Sequence, residues 1–357
     1  MLIYAYADIL GYRSTIKTKS SSEVYNVLNE AVSEMHRILS IYTNSKSVTE
    51  AYREGILYQH DYVKFDSNNK MIVDKSVWEY ASNKEIKLKS YIAFDTIVIY
   101  WDEFEISPEN MMIFLLAIDL FYLILYDRDI MIRGAIGTSD DYYIDEVGNE
   151  RYFIIDNIDI AAAIEKNQDA SNIIVFGKKI EQCFWETPGN GLVDDYYERL
   201  DYYLNSQKRA IIAKRHPYSP RLFFKKGFVE KVLNGTAEVQ PEDIFNGYST
   251  NPETQNLTCI TICPINNLSL FYLGVDFYER LYKKVKTICD NGYRNGYNHV
   301  DELKINTACL LFSRLKSDIF NASFLSTVLK DDIKTELPIG NNNVNDMWAE
   351  LNKRLRD

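Results

Sequence analysis

Histidine is scarce in this chain: four residues of 357, at positions 36, 60, 216 and 299, with no spacing that suits a metal or a catalytic pair. No serine or cysteine comes with a recognisable histidine and acid, so a hydrolase built on an activated nucleophile finds no support. The five cysteines are an odd, scattered set, which fits reduced thiols better than a disulfide framework. Cys259 and Cys263 share one face of the apparent strand TCITICP, yet no other Cys/His pair completes a zinc set. Positive charge is in deficit, 40 Lys and Arg against 51 Asp and Glu, a formal net charge of −11. That argues against a general binder of nucleic acid or anionic membrane, since phosphate attracts basic surfaces. A long hydrophobic run is missing too. The most apolar stretch, MMIFLLAIDLFYLIL (111–125), is shorter than a bilayer requires and carries Asp119; we read it as a buried amphipathic helix. No basic region followed by an apolar segment opens the chain, so a cytoplasmic location is expected. Internal repeats and Gly/Ser or Pro linkers are also lacking.

What is present is enough apolar material, 46% of residues, to fill a sizeable core. Residues 1–9 read as a buried strand ending at Asp8. SSSEVYNVLNEAVSEMHRILSIY has a serine–glutamate capping signal and helical spacing of apolar residues. LKSYIAFDTIVIYW reads as two strands joined by a tight turn with Asp95 at its tip. Ser107-Pro108-Glu109 starts another helix. DIMIRGAIG, YFIID and SNIIVFG read as strands, and DIAAAIEK as a short helix. The order β-α-β-β-α-β-β-α-β predicts an α+β fold of the ferredoxin-like type, an antiparallel-rich sheet with helices on one face. We place this core at 1–180, with an irregular insertion at 43–86 and a turn signal at DSNNK. Residues 181–357 form a mixed, largely helical extension packed on it, with helical stretches including FYERLYKKVKTIC and strand candidates LTCITIC and LSLFYLG. The basic run 208–227 reads as a solvated face, or as the lining of an entry path for an anion.

Two carboxylates, Asp8 in YADILGY and Asp95 in AFDTIVI, each end an apolar strand, and in such a sheet the two strands are neighbours. Paired carboxylates suit hard divalent cations, and Mg²⁺ in particular takes one or two of them and leaves its other positions to phosphates and water. Two ions about 3.5–4 Å apart would bracket a phosphorus under attack. The Ile9–Ser14 stretch offers backbone N–H groups for a polyphosphate, with Gly11 permitting close approach.

Asp8-Ile9-Leu10-Gly11-Tyr12, Phe94-Asp95-Thr96-Ile97 and Arg133-Gly134-Ala135-Ile136 stand in the order of three motifs of the class III nucleotidyl cyclases. The first half of the chain resembles that family, and most of all the bacterial pyrimidine cyclases of Pycsar antiphage defence. The resemblance implies a homodimer that uses Mg²⁺ or Mn²⁺, two ions per site, to convert UTP or CTP to a cyclic mononucleotide and pyrophosphate. It implies metal ligation by Asp8, Asp95 and the Ile9 carbonyl, and substrate contacts from Gly11, Tyr12, Arg13, Tyr91 and Thr96. The product would be a second messenger read by a separate effector protein. Tyr91 stands where purine cyclases of the class carry a base-reading lysine, and Asp159 and Ala163 stand where their last core helix carries Asn and Arg. A pyrimidine preference is therefore implied, with Arg133 or Arg13 supplying the missing cation. Two other readings remain open at this stage: a purine nucleotide cyclase, and a nucleotide-sensing module without turnover. Arg133 also reads as pairing with an acid across the sheet, and Tyr91 as packing.

Overall fold

The computed structural model describes residues 1–44, 63–65, 71–73, 87–106, 108–147, 150–177, 180, 227–239, 260–262, 264–295, 302–316 and 344–356. In chain order the elements are β1 (Leu2–Ile9), α1 (Tyr12–Thr18), α2 (Ser21–Asn44), β2 (Val63–Phe65), β3 (Met71–Val73), β4 (Leu88–Ala93), β5 (Thr96–Trp101), α3 (Pro108–Asp127), β6 (Ile132–Ser139), β7 (Tyr142–Val147), β8 (Glu150–Ile155), α4 (Ile158–Lys166) and β9 (Ile173–Val175). After them come α5 (Phe228–Leu233), β10 (Ile260–Thr261), α6 (Asn267–Asn295), α7 (302–316) and α8 (Val344–Arg354).

The fold is α+β, with a mostly antiparallel six-stranded sheet in the order β10-β9-β6-β1-β5-β4. β1 runs antiparallel to both β5 and β6, and only the β6–β9 pair is parallel. Four of its strands, β6-β1-β5-β4, follow a β-α-β-β-α-β connectivity, two interleaved units joined by the β4–β5 hairpin. Two further antiparallel pairs, β2–β3 and β7–β8, stand as separate ribbons. The β2–β3 pair falls within the insertion at 43–86; its DSNNK turn lies outside the described residues, as do residues 208–226 of the basic run.

Local chemistry accounts for the main elements. The start of α2 is a capping box: Ser20 N donates to Glu23 Oε2 (2.6 Å) and Glu23 N to Ser20 Oγ (3.2 Å), so two first-turn amides are satisfied reciprocally. Pro108 opens α3, where a missing N–H costs nothing. Gly134 allows β6 to lie against β1, because a Cβ there would stand 2.1 Å from the Tyr6 carbonyl oxygen. Gly137 leaves room for the Phe176 ring, which a Cβ would meet at 2.4 Å.

Expectation and structure part company at three places. Residues 113–126 of α3 are buried on every side rather than amphipathic; Asp119 is buried and accepts a hydrogen bond from Asn266 Nδ2 (2.7 Å). LSLFYLG lies in the first part of α6, before the break at Gly274 (φ 82°), not in a strand. Helices cover both faces of the sheet, not one. Trp101 pairs with Ile3 and so shares its face, and the Trp101–Phe104–Phe114 ring contacts carry that face to α3. On the opposite face the Tyr4 hydroxyl donates to Asn157 Oδ1 (2.6 Å), the residue before α4.

The C-terminal elements dock on this core through polar anchors. Ser171 N donates to Thr307 Oγ1 (2.9 Å) and Asn306 Nδ2 to the Asp169 carbonyl (3.1 Å). Lys284 Nζ donates to the Tyr126 carbonyl (2.5 Å) and pairs with Asp129 (2.7 Å), capping the end of α3 with a cation.

Candidate functional site

Along β1 the burial changes character: residues 2–5 are buried on both faces, while Tyr6 and Asp8 are only half-buried. These two, with Tyr4, point to the face covered by α4. The face therefore opens where β1 ends, at Asp8. In register, Asp8 stands between Thr96 of β5 and Arg133 of β6. Phe94 and Asp95 form the two-residue turn between β4 and β5, and the Asp95 carbonyl accepts from Ile9 N (2.9 Å). Asp95 is thus pinned against the end of β1.

The turn carries a conformational oddity. Phe94 has φ 58°, a region that glycine usually fills at the first central position of a II′ turn, and its ring is 86% exposed.

Charge accumulates here. Burial, aided by the nearby Glu165 and Asp95 carboxylates, pushes the Asp8 carboxyl up to about 6, against the opposing pull of Arg133 and Lys166. Arg133 is itself tied down: its Nε donates to Glu165 Oε1 and its Nη1 to the Gln168 carbonyl (3.3 Å). The Glu165 side chain is 2% exposed and that of Arg133 13%. Tyr6 neighbours the same cluster; burial raises its phenol, and a hydrogen bond with Thr96 opposes that.

Asp8, Asp95, Thr96 and Arg133 are brought together around one strand end. Ile9 is buried beside them, and its amide and that of Leu10 are committed to the carbonyls of Asp95 and Met131 (both 2.9 Å). Any phosphate contact from this stretch must therefore come from later amides. Gly11, with φ 66°, turns the chain into α1, where Arg13 is exposed and Tyr12 half-buried. Tyr91 shares the Asp8 face through Val98 and Tyr6, but its ring is stacked on Phe153 (6.1 Å between centroids, 5° between planes). Asp159 is exposed on α4 and Ala163 half-buried.

Glu165 is the site residue that sequence reasoning missed. Its signal was legible: in IDIAAAIEK it lies four residues after Ala161, on the buried stripe of a short apolar helix, where a carboxylate needs a partner. Tyr6, two residues before Asp8 on the same strand face, was missed for want of any local mark.

Among the described residues no group of three or more His, Cys, Asp or Glu side chains is arranged to hold a metal ion. The Asp8–Asp95 pair is an oxygen-only donor set with surplus negative charge, which fits Mg²⁺ or Mn²⁺ completed by water and phosphate. No helix among the described residues is long and apolar enough to cross a membrane. Neither a protein-family model nor a curated protein matches this chain.

Proposed function

We propose that this protein is a nucleotidyl cyclase of the class III type, acting on UTP or CTP, with the Asp8 face of the sheet as its active site. The observation that carries the reading is the juxtaposition of Asp8 and Asp95, from separate elements of the sheet, at one half-open strand end beside Arg133. The β-α-β-β-α-β connectivity is that expected of the cyclase core, which supports the fold half of the argument.

Asp8 and Asp95, with the Ile9 carbonyl, would hold two divalent ions, which supply charge neutralisation at the triphosphate and a more acidic 3′-hydroxyl. In the reaction the ribose 3′-hydroxyl gives up its proton to solvent water and its oxygen bonds to the α-phosphorus. The bond from that phosphorus to the bridging oxygen breaks, and pyrophosphate leaves. Arg133, anchored by Glu165, would offer a fixed cation near the developing charge, so that little reorganisation accompanies reaction. Tyr91, braced by Phe153, would form a rigid wall of the base pocket, and Thr96 and Gly11 to Arg13 would border the nucleotide. The product is a cyclic mononucleotide messenger read by a separate effector in antiphage defence, and the working form is a homodimer.

A nucleotide sensor without turnover is the second reading, and the Arg133–Glu165 pair favours it, because that cation is already neutralised by a carboxylate. Incubating the protein with ATP, GTP, CTP and UTP plus Mn²⁺, followed by mass spectrometry, separates the two. A cyclic product from UTP or CTP that disappears in Asp8→Ala and Asp95→Ala supports the cyclase. A product from ATP or GTP would move the substrate to purines. Metal-dependent nucleotide binding with no pyrophosphate release would replace the cyclase with the sensor.

A further inference from the structure

Two buried thiols meet between helices of the C-terminal part. Cys289 of α6 and Cys309 of α7 are each 5% exposed, and their sulfurs, both free thiols, stand 3.0 Å apart. The ring of Tyr126, near the end of α3, neighbours the pair.

This approach is set by the packing of whole helices. The Tyr282 and Phe312 rings also meet across α6 and α7, with centroids 5.2 Å apart. Tyr282 precedes Cys289 by two helical turns and Phe312 follows Cys309 by about one, so the helices run antiparallel and both contacts lie on one seam. Each helix is anchored to the core as well: α6 by Lys284 on the Tyr126 carbonyl, α7 by the bonds of Asn306 and Thr307 to Asp169 and Ser171. Sulfurs held in this way need to close by only about 1 Å to reach the roughly 2.05 Å of a disulfide bond.

We propose that Cys289 and Cys309 form a reversible disulfide that staples α6 to α7, with a low-molecular-weight disulfide such as oxidised glutathione as the oxidant. One thiolate attacks the glutathione disulfide and releases a first glutathione thiol. The second thiolate then attacks the mixed disulfide and releases another, so the two electrons of the dithiol pass to glutathione and two protons are lost. Burial pushes both thiols up to about 11, so the staple closes under sustained rather than passing oxidation. Once closed, it fixes α7 and, through Asn306 and Thr307, the segment that follows α4. The Gln168 carbonyl of that segment receives Arg133 Nη1 (3.3 Å), so the staple tightens the support behind Arg133. The proposal stands on the fold and does not depend on the nucleotide reading.

The test holds the full chain in glutathione buffers from fully reduced to fully oxidised until its mass stops changing. Acid quenching and peptide mapping follow, because Cys183, Cys259 and Cys263 must be told apart from this pair. A peptide joining residues 289 and 309 should accumulate with the oxidised share and vanish when reduced glutathione is restored. The linked form should melt roughly 3–5 °C higher. In Cys309→Ser that rise should be lost, and the mapping of the unmodified protein stands whether or not this variant folds well. Residues 289 and 309 recovered only as thiols or glutathione adducts in the fully oxidised buffer would overturn the proposal. So would a link that reduced glutathione fails to reopen, or a rise in Tm that survives in Cys309→Ser.

Discussion

Arg133 and Glu165 form a buried ion pair directly across the β1–β6 register from Asp8. The pair joins a central strand to the helix packed on it, so it is structural whatever else it does. Removing one member of such a pair leaves a desolvated charge, which costs about 3–5 kcal/mol. Glu165→Ala should lose about that much in urea unfolding, and Glu165→Gln, which still accepts from the guanidinium, clearly less. Equal losses in the two variants would mean that side-chain volume, not charge, is what matters there.

The Asp8 carboxyl, raised to about 6 chiefly by burial, makes stability depend on pH in a definite direction. The folded pKa lies above the ordinary aspartate value of 3.8, so the protonated form is the one that favours folding. That contribution is complete below about pH 4 and is lost as pH rises to about 6. Asp8→Asn should therefore gain on the parent across that window, by roughly 1 kcal/mol once partial exposure is allowed for. Parallel urea titrations from pH 4 to 7 would show it; parallel curves for the two proteins would refute it.

Protons and a divalent ion compete for the same carboxylate. Mn²⁺ affinity should fall about tenfold per pH unit below pH 6 and level off above it. Titration calorimetry checks this, and Asp95→Asn should weaken binding while Asn at the exposed position 159 of α4 should not.

The glycines of β6 fail for different reasons. A Cβ at 134 meets backbone at 2.1 Å, which cannot move without parting β1 from β6, whereas a Cβ at 137 meets the Phe176 ring. Gly134→Ala should be the more damaging, at or beyond the upper end of the roughly 1–3 kcal/mol of ordinary overpacking, and Gly137→Ala should fall within it. Denaturant midpoints of the two variants give the ranking directly.

Phe94 spends stability on its position. With a left-handed φ and an exposed ring, it has little burial to lose, and Phe94→Gly should stabilise the chain by about 1 kcal/mol. A variant that gains stability yet loses product from UTP or CTP would mark the ring as a nucleotide contact beside Asp95.

Much of this was determined by the sequence itself, because the relevant signals are local. Alternation to Asp8, the Ser20–Glu23 box, the tight turn at Asp95 and the proline opening α3 each act within a few residues, and each element formed where it was expected. The tertiary structure alone decided what depends on partners far along the chain. A run such as LSLFYLG suits strand or helix equally, and packing beside α3 and the break at Gly274 resolved it. Likewise the apolarity of α3 could not tell a one-sided helix from one enclosed by both the sheet and the C-terminal helices. The meeting of Glu165 with Arg133 spans 32 residues and rests on α4 crossing the β1–β6 face. No local pattern encodes that crossing; it follows from which surfaces remain to be buried once the sheet is made.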